Sequence, residues 1–177
     1  MNTTKKLTLS AVLAALSAVI MLVSYFPYLT YAVPAVAGLF IMIVVIEIDC
    51  KWAFFSFVAA SVLAFLFAET ESKLMFIGFF GFYSILKCLI ERINKPFFEW
   101  LIKFFVFNVC IITVYKLVSR IFLVSFDDFA TLKQYGEIIL LVVANIVFAV
   151  YDIAVSRMSV FYISTLHTRI SRLFKGN

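Results

Sequence analysis

Six long apolar stretches divide the chain, and each is close to the roughly 20 residues that a helix needs to cross a hydrocarbon core. They cover residues 7–25, 34–48, 51–68, 73–90, 97–117 and 135–156. A soluble domain of 177 residues has no need for 65% hydrophobic and only 14% charged residues. The sequence therefore predicts an all-α integral membrane protein, a compact bundle of six transmembrane helices in one domain, residues 1–177.

The lysines and arginines are shared unequally between the two sets of alternating segments. Eleven lie in the segments on the side of both termini, and four lie in the opposite set. Because cytoplasmic loops carry an excess of basic residues, we expect both termini in the cytoplasm of a bacterial cell membrane. The first stretch follows two lysines, as in a signal peptide. No convincing small-residue cleavage site follows it, so we expect a retained span.

The first stretch carries small residues at helical spacing. Ala11 and Ala15 share a face of the helix, and so do Ala14 and Ala18. Small residues four apart let a second helix approach closely inside a membrane. Two interpretations remain open, packing within this protein or a docking face for a separate membrane subunit. The third stretch has a second ridge of small residues: Ser56, Ala60, Ala64 and Ala68.

Polar side chains within the spans are candidates for an intramembrane network, because each charge costs a few kcal/mol to insert. Lys87 and Asp152 fall at similar depth, and we predict that they lie close enough to interact. The alternative is that Lys87 extends to the interface and Asp152 pairs with Arg157. Asn108 and Asn145 are expected to hydrogen-bond between helices. The network candidates are Glu47, Lys87, Asn108, Asn145, Asp152 and Arg157.

The sequence contains no catalytic or metal-binding pattern, such as a Ser/His/Asp set, HExxH or a phosphate-binding glycine loop. We therefore expect no enzymatic activity, no cofactor and no metal. Cys50, Cys88 and Cys110 are odd in number and lack metal-ligand spacing, and we expect reduced thiols. The net charge of +5 is expected to face anionic lipid rather than nucleic acid.

A basic and polar start, KKLT at residues 5–8, leads into Ala11-x-x-x-Ala15. In this motif and in its predicted topology, the chain resembles the substrate-binding S components of energy-coupling factor (ECF) transporters, in an uncharacterised subgroup. The resemblance implies that the first helix docks a membrane coupling subunit, which works with ATPases. The docking residues that it implies are Ala11, Ala14, Ala15 and Ala18.

The resemblance also implies a small-molecule solute, such as a vitamin, held on the outward side beneath the loop at residues 25–33. The sequence does not match the signatures of the riboflavin, thiamine or biotin binders. The candidate solute-binding residues are Tyr28, Tyr31, Glu69, Glu71, Tyr115, Asp127 and Asp128. A second interpretation also stays open: a non-transport scaffold of the cell envelope, similar to the rod-shape membrane proteins, which needs no solute pocket.

Overall fold

The computed structural model describes residues 2–26, 28–122 and 136–167, and this part of the chain is helical with no strand. Side chains are described for the same residues, except 115–122, 136–138, 140 and 166–167. The α-helices are α1 (Thr3–Leu22), α2 (Ala32–Glu47), α3 (Cys50–Phe67), α4 (Thr70–Met75), α5 (Gly81–Glu91), α6 (Pro96–Phe122) and α7 (Gly136–Tyr162).

Five helical segments of the described chain are long and apolar enough to cross a membrane: Thr3–Tyr25, Cys50–Phe67, Thr70–Glu91, Pro96–Val114 and Leu141–Thr165. The predicted class, an all-α multi-pass membrane protein, is therefore confirmed. Helix α2 is apolar but has only 16 residues. At 1.5 Å per residue it is about 24 Å long, less than the roughly 30 Å hydrocarbon core. The sixth span and the position of the termini remain predictions.

The short helix α2 lies in the middle of the bundle, where it contacts α1, α3, α5 and α7. Ala37, Ile41 and Val44 are completely buried among these neighbours. Pro34 is also buried and lies in the first turn of the helix, where its missing N–H group breaks no helical hydrogen bond. The helix begins two residues before this proline, at Ala32. Other helices of the protein thus surround α2, the apolar helix that is shorter than the hydrocarbon core.

Helix α1 packs against α3 and α2 through small and hydroxyl side chains. Ser56 Oγ on α3 donates to the Ser10 carbonyl oxygen at 3.2 Å, and Ser17 Oγ donates to the Ala37 carbonyl oxygen at 3.0 Å. Each of these two hydroxyl groups thus donates to a backbone carbonyl oxygen of the neighbouring helix. The predicted ridge on α3 is buried at every position: Ser56, Ala60, Ala64 and Ala68.

A π-helical turn, Phe76–Phe80, joins α4 and α5 into one continuous segment. Glycines within and after this turn allow close packing on both sides. A Cβ atom on Gly78 would lie 2.7 Å from Val114 Cγ2 of α6, and one on Gly81 would lie 2.6 Å from Cε2 of Phe57 on α3. The two glycines therefore permit close contacts with α6 and α3, and the sequence did not indicate the π-turn.

The second half of the bundle has an aromatic core. Phe79 and Tyr83 from the π-turn and α5 pack with Phe148 of α7, and Phe104 and Phe107 of α6 complete the cluster. The rings of Phe107 and Phe148 are stacked, with centroids 4.4 Å apart and planes 8° apart. Offset and edge-to-face contacts between rings add to the energy of burial. This aromatic cluster holds α5, α6 and α7 together.

With α4, the π-turn and α5 counted as one segment, successive helical segments run in opposite directions, so the bundle has two ends. At the first, called here the Glu69 end, the loop after α1 meets the start of α4. There Ser72 Oγ donates to the Thr30 carbonyl oxygen at 2.6 Å, and Glu69 N donates to Ser24 Oγ at 3.3 Å. The opposite end, called here the Cys50 end, holds the beginnings of α1, α3 and α6 and the end of α5.

Candidate functional site

Four charged side chains from three helices meet between α5, α6 and α7, and we call them the charge ring: Lys87, Glu91, Lys103 and Asp152. Asp152 contacts Lys87 Nζ through Oδ1 and lies 3.3 Å from Lys103 Nζ through Oδ2. Glu91 Oε1 lies 3.0 Å from Lys87 Nζ and 2.9 Å from Lys103 Nζ. The charges alternate in sign around a closed circuit, so their sum is zero.

The charge ring is buried on every side except at Glu91. The side chains of Lys87, Lys103 and Asp152 are 4–6% exposed, whereas Glu91 is 44% exposed. Tyr83 is fully buried and donates through Oη to Asp152 Oδ1 at 2.6 Å. Both carboxylate oxygens of Asp152 therefore accept a donor. Removing any one of the buried members would leave a buried charge without its partner, which is strongly destabilising.

The predicted contact between Lys87 and Asp152 is confirmed. The alternative, in which Lys87 extends to the interface and Asp152 pairs with Arg157, is wrong. Arg157 is exposed, and within the described residues it forms no ion pair with Asp152. The donors that contact the Asp152 carboxylate come instead from α5 and α6.

Two members of the charge ring, Lys103 and Glu91, were missed by the sequence prediction. Lys103 was counted only among the eleven basic residues on the side of the termini, and it lies two turns inside α6, which begins at Pro96. Glu91 lies four residues after Lys87 and so shares its helix face, a spacing that was available as a signal. Glu47 was expected near these residues but lies outside the ring. Tyr162 Oη of α7 donates to Glu47 Oε1 at 2.7 Å.

Asn108 of α6 and Asn145 of α7 form the predicted interhelical hydrogen bond. The two amides exchange donors, with Nδ2–Oδ1 distances of 2.9 and 3.0 Å. Each Nδ2 also donates to a carbonyl oxygen one turn earlier in its own helix, that of Phe104 at 2.8 Å or Leu141 at 2.7 Å. Every donor hydrogen of the pair therefore has an acceptor. The arrangement is a structural link between α6 and α7 rather than a binding site.

The small residues of α1 divide between two environments. Ala14 is only 3% exposed and packs inside the bundle, so its assignment to the docking face is wrong. Ala11 and Ala15 are exposed on the outer side of the helix, and Ala18 is half-buried. Ala15 and Ala18 line a shallow apolar groove together with Val19, Leu22, Leu63 and Phe67. The surface available to a partner is therefore Ala11, Ala15 and the edge at Ala18.

Three of the candidate solute-binding residues at the Glu69 end, Tyr31, Glu69 and Glu71, form hydrogen bonds there. Tyr31 Oη donates to Glu71 Oε2 at 2.9 Å, and this carboxylate raises the pKa of Tyr31 above its ordinary value. Glu69 Oε2 caps α4 by accepting from the N–H groups of Glu71 and Ser72, both at 3.1 Å. Tyr28 is 97% exposed and adopts a positive φ of 71°. Asp127, Asp128 and the side chain of Tyr115 lie outside the described part of the chain.

A second groove on the surface of the bundle is also lined by apolar residues. It runs along α3 beside the π-turn and is lined by Phe57, Val58, Ser61, Val62, Phe65, Leu66 and Ile77.

Within the described residues, no three His, Cys, Asp or Glu side chains are arranged to hold a metal ion. No protein-family model, curated protein or solved structure matches this chain.

Proposed function

We propose that this chain is the solute-binding subunit of an ATP-driven uptake transporter of the ECF type. The observation that carries the proposal is that α1 carries small residues on two faces, one buried in the bundle and one exposed. Ser10, Ala14 and Ser17 serve the internal packing of the bundle, whereas Ala11 and Ala15 lie exposed on the outer side. Small side chains on an outer helix face leave room for a second helix to pack closely. The resemblance assigns this face to the coupling subunit, which is driven by ATPases.

In this proposal the solute, a vitamin or related micronutrient, binds at the Glu69 end. The loop after α1 supplies Tyr28 and Tyr31, and the start of α4 supplies Glu69 and Glu71. The hydrogen bond from Tyr31 to Glu71 supports the proposal, because it brings the aromatic loop and the acidic segment together. Aromatic faces with a few fixed carboxylates are suited to a flat, polar small molecule.

The same proposal places six spans in a bacterial cell membrane, with both termini and the Cys50 end in the cytoplasm. The basic residues support this orientation, because several lie in the first turns of α1 and α3 or between α5 and α6: Lys5, Lys6, Lys51, Arg92 and Lys95. Cytoplasmic segments near a membrane carry such an excess.

Cysteine labelling tests the orientation in a background whose three native cysteines are replaced by serine. Thr70→Cys lies at the Glu69 end and is expected to react with an impermeant thiol reagent added to intact cells. Asn94→Cys lies between α5 and α6 and is expected to react only after the cells are opened. The opposite labelling pattern would reverse the orientation and place the proposed solute side in the cytoplasm.

Tryptophan substitutions on α1 test the docking face. Ala11→Trp and Ala15→Trp point away from the bundle, so the isolated protein is expected to keep its melting temperature in detergent. Pull-down of the coupling subunit is expected to fall about tenfold or more, since overpacking a helix contact costs roughly 1–3 kcal/mol. Solute uptake is expected to fall with it.

Ala14→Trp is the matched control, because Ala14 is on the same helix but buried inside the bundle. This variant is expected to lower the melting temperature of the isolated protein. If Ala11→Trp and Ala15→Trp destabilise the isolated protein as strongly as Ala14→Trp does, the exposed face is internal packing and the docking proposal fails.

A non-transport scaffold of the cell envelope, similar to the rod-shape membrane proteins, is the second candidate. It is favoured by the contacts of Glu69, whose carboxylate is used to cap α4. A scaffold uses the same exposed face of α1 but binds no solute. Mass spectrometry of small molecules retained through purification separates the two functions, because only a solute-binding subunit carries a stoichiometric ligand.

A further inference from the structure

Two cysteines from different helices meet at the Cys50 end. Cys50 is the first residue of α3, and Cys88 lies in the last turn of α5. Their Sγ atoms are 3.2 Å apart, although the residues are 38 positions apart in the sequence. Both side chains are half-buried, so small reagents can reach them. All three cysteines are free thiols, and two of them form a close pair that the sequence did not indicate, whereas Cys110 is separate.

The helix ends that carry these cysteines are both anchored. Asp49 caps α3, since its Oδ1 accepts from Trp52 N at 2.9 Å. The last turn of α5 is held by the charge ring through Lys87 and Glu91, on either side of Cys88. Sulfur atoms in a disulfide are about 2 Å apart, so they need to approach by about 1 Å.

We propose that Cys50 and Cys88 form a reversible disulfide when the protein meets a peroxide. One sulfur attacks a peroxide oxygen as the thiolate, which breaks the O–O bond and gives a sulfenic acid and, after protonation, water. The second thiolate attacks that sulfur, forms the S–S bond and releases a second water. The two thiols lose two protons and two electrons in total, and these reduce the peroxide to two waters. A small dithiol reverses the step by thiol–disulfide exchange.

Arg92 lies beside this pair, with its charge close to one of the two sulfurs. Its Nη2 atom is 3.9 Å from Cys50 Sγ. A guanidinium charge at this distance offsets part of the cost of a thiolate at a half-buried position. The bond would join α3, which packs against the exposed helix α1, to α5, which carries Tyr83 and Lys87. Oxidation thus fixes the relative position of the two halves of the bundle at the Cys50 end.

The test uses the full-length protein in membrane vesicles, treated with hydrogen peroxide. Thiols are then counted after denaturation with a maleimide that shifts the protein on a gel. We expect two of the three thiols to be lost together, and a peptide containing Cys50 to be linked to one containing Cys88 by mass spectrometry. Dithiothreitol is expected to restore both thiols. The oxidised protein is expected to have a higher melting temperature than the reduced protein.

Single serine variants supply the controls. Cys50→Ser and Cys88→Ser each remove one partner and are expected to abolish the intramolecular bond. Cys110→Ser is the matched control, because Cys110 packs beside the aromatic cluster and is expected to leave the bond intact. The proposal is overturned if the peptide map shows Cys110 in the bond or finds only bonds between chains. It is equally overturned if peroxide adds oxygen to the sulfurs, or leaves all three thiols free, without linking them.

Discussion

Replacing Asp152 with asparagine is expected to cost the protein about 3–5 kcal/mol of unfolding free energy, because it breaks a buried set of ion pairs. Without this carboxylate, Lys87 and Lys103 keep only the shared oxygen of Glu91 as an anionic partner in the ring. The loss is measured as a lower melting temperature in detergent and a lower midpoint of unfolding. The control is Lys51→Met, which removes an exposed lysine at the Cys50 end. It is expected to change the free energy of unfolding by less than about 0.5 kcal/mol.

A double-mutant cycle shows whether the effect belongs to the ion pair. Lys87→Met alone leaves Asp152 with one lysine instead of two. The double variant Lys87→Met, Asp152→Asn is expected to be more stable than the sum of the single losses predicts, since it removes both charges of the pair. Strictly additive losses would mean that the two side chains do not interact in the folded protein.

Replacing Gly38 with leucine is expected to force α2 away from α5. A Cβ atom on Gly38 would lie 2.5 Å from the carbonyl oxygen of Phe80 and 3.2 Å from its carbonyl carbon, and this backbone cannot rotate away as a side chain can. The hydrogen bond from Ser84 Oγ to the Gly38 carbonyl oxygen, 3.2 Å long, would be lost as well. We expect a loss of about 3 kcal/mol, the upper end of ordinary overpacking.

Thermal unfolding of the purified variant measures this effect, and Ala32→Leu is the control. Ala32 is the first residue of the same helix and is exposed, so a leucine there is expected to change stability by less than about 0.5 kcal/mol. A Gly38→Leu protein that melts with the wild type would show that α2 and α5 are not in close contact.

Depth in the membrane could be predicted from the sequence, because hydropathy gives the ends of a span and the helical rise gives the position within it. This is why the pairs Lys87–Asp152 and Asn108–Asn145 were found from sequence alone. The direction in which a side chain points around the helix is a different quantity. The buried ridge on α3 was recognised because its small residues recur every four positions on one face.

On α1 the same reasoning did not decide between two faces. Ala11 and Ala15 face outward and Ala14 faces inward, yet all three are equally small and apolar. In a soluble helix the polar side marks the surface, but lipid is as apolar as a protein core, so hydropathy does not separate the two. The contact between Cys50 and Cys88 was missed for a related reason, since their spacing in the sequence carries no information about a tertiary contact.

The zero net charge of the ring has an electrical consequence. Moving one elementary charge through the membrane field involves about 2.3 kcal/mol for every 100 mV of potential. Lys87 and Lys103 carry two positive charges, and Glu91 and Asp152 carry two negative charges. If α5, α6 and α7 shift together along the membrane normal, the ring transfers no charge across the field. Such a movement is electrically silent, and a charged residue placed in the spans without a partner would make it voltage-dependent.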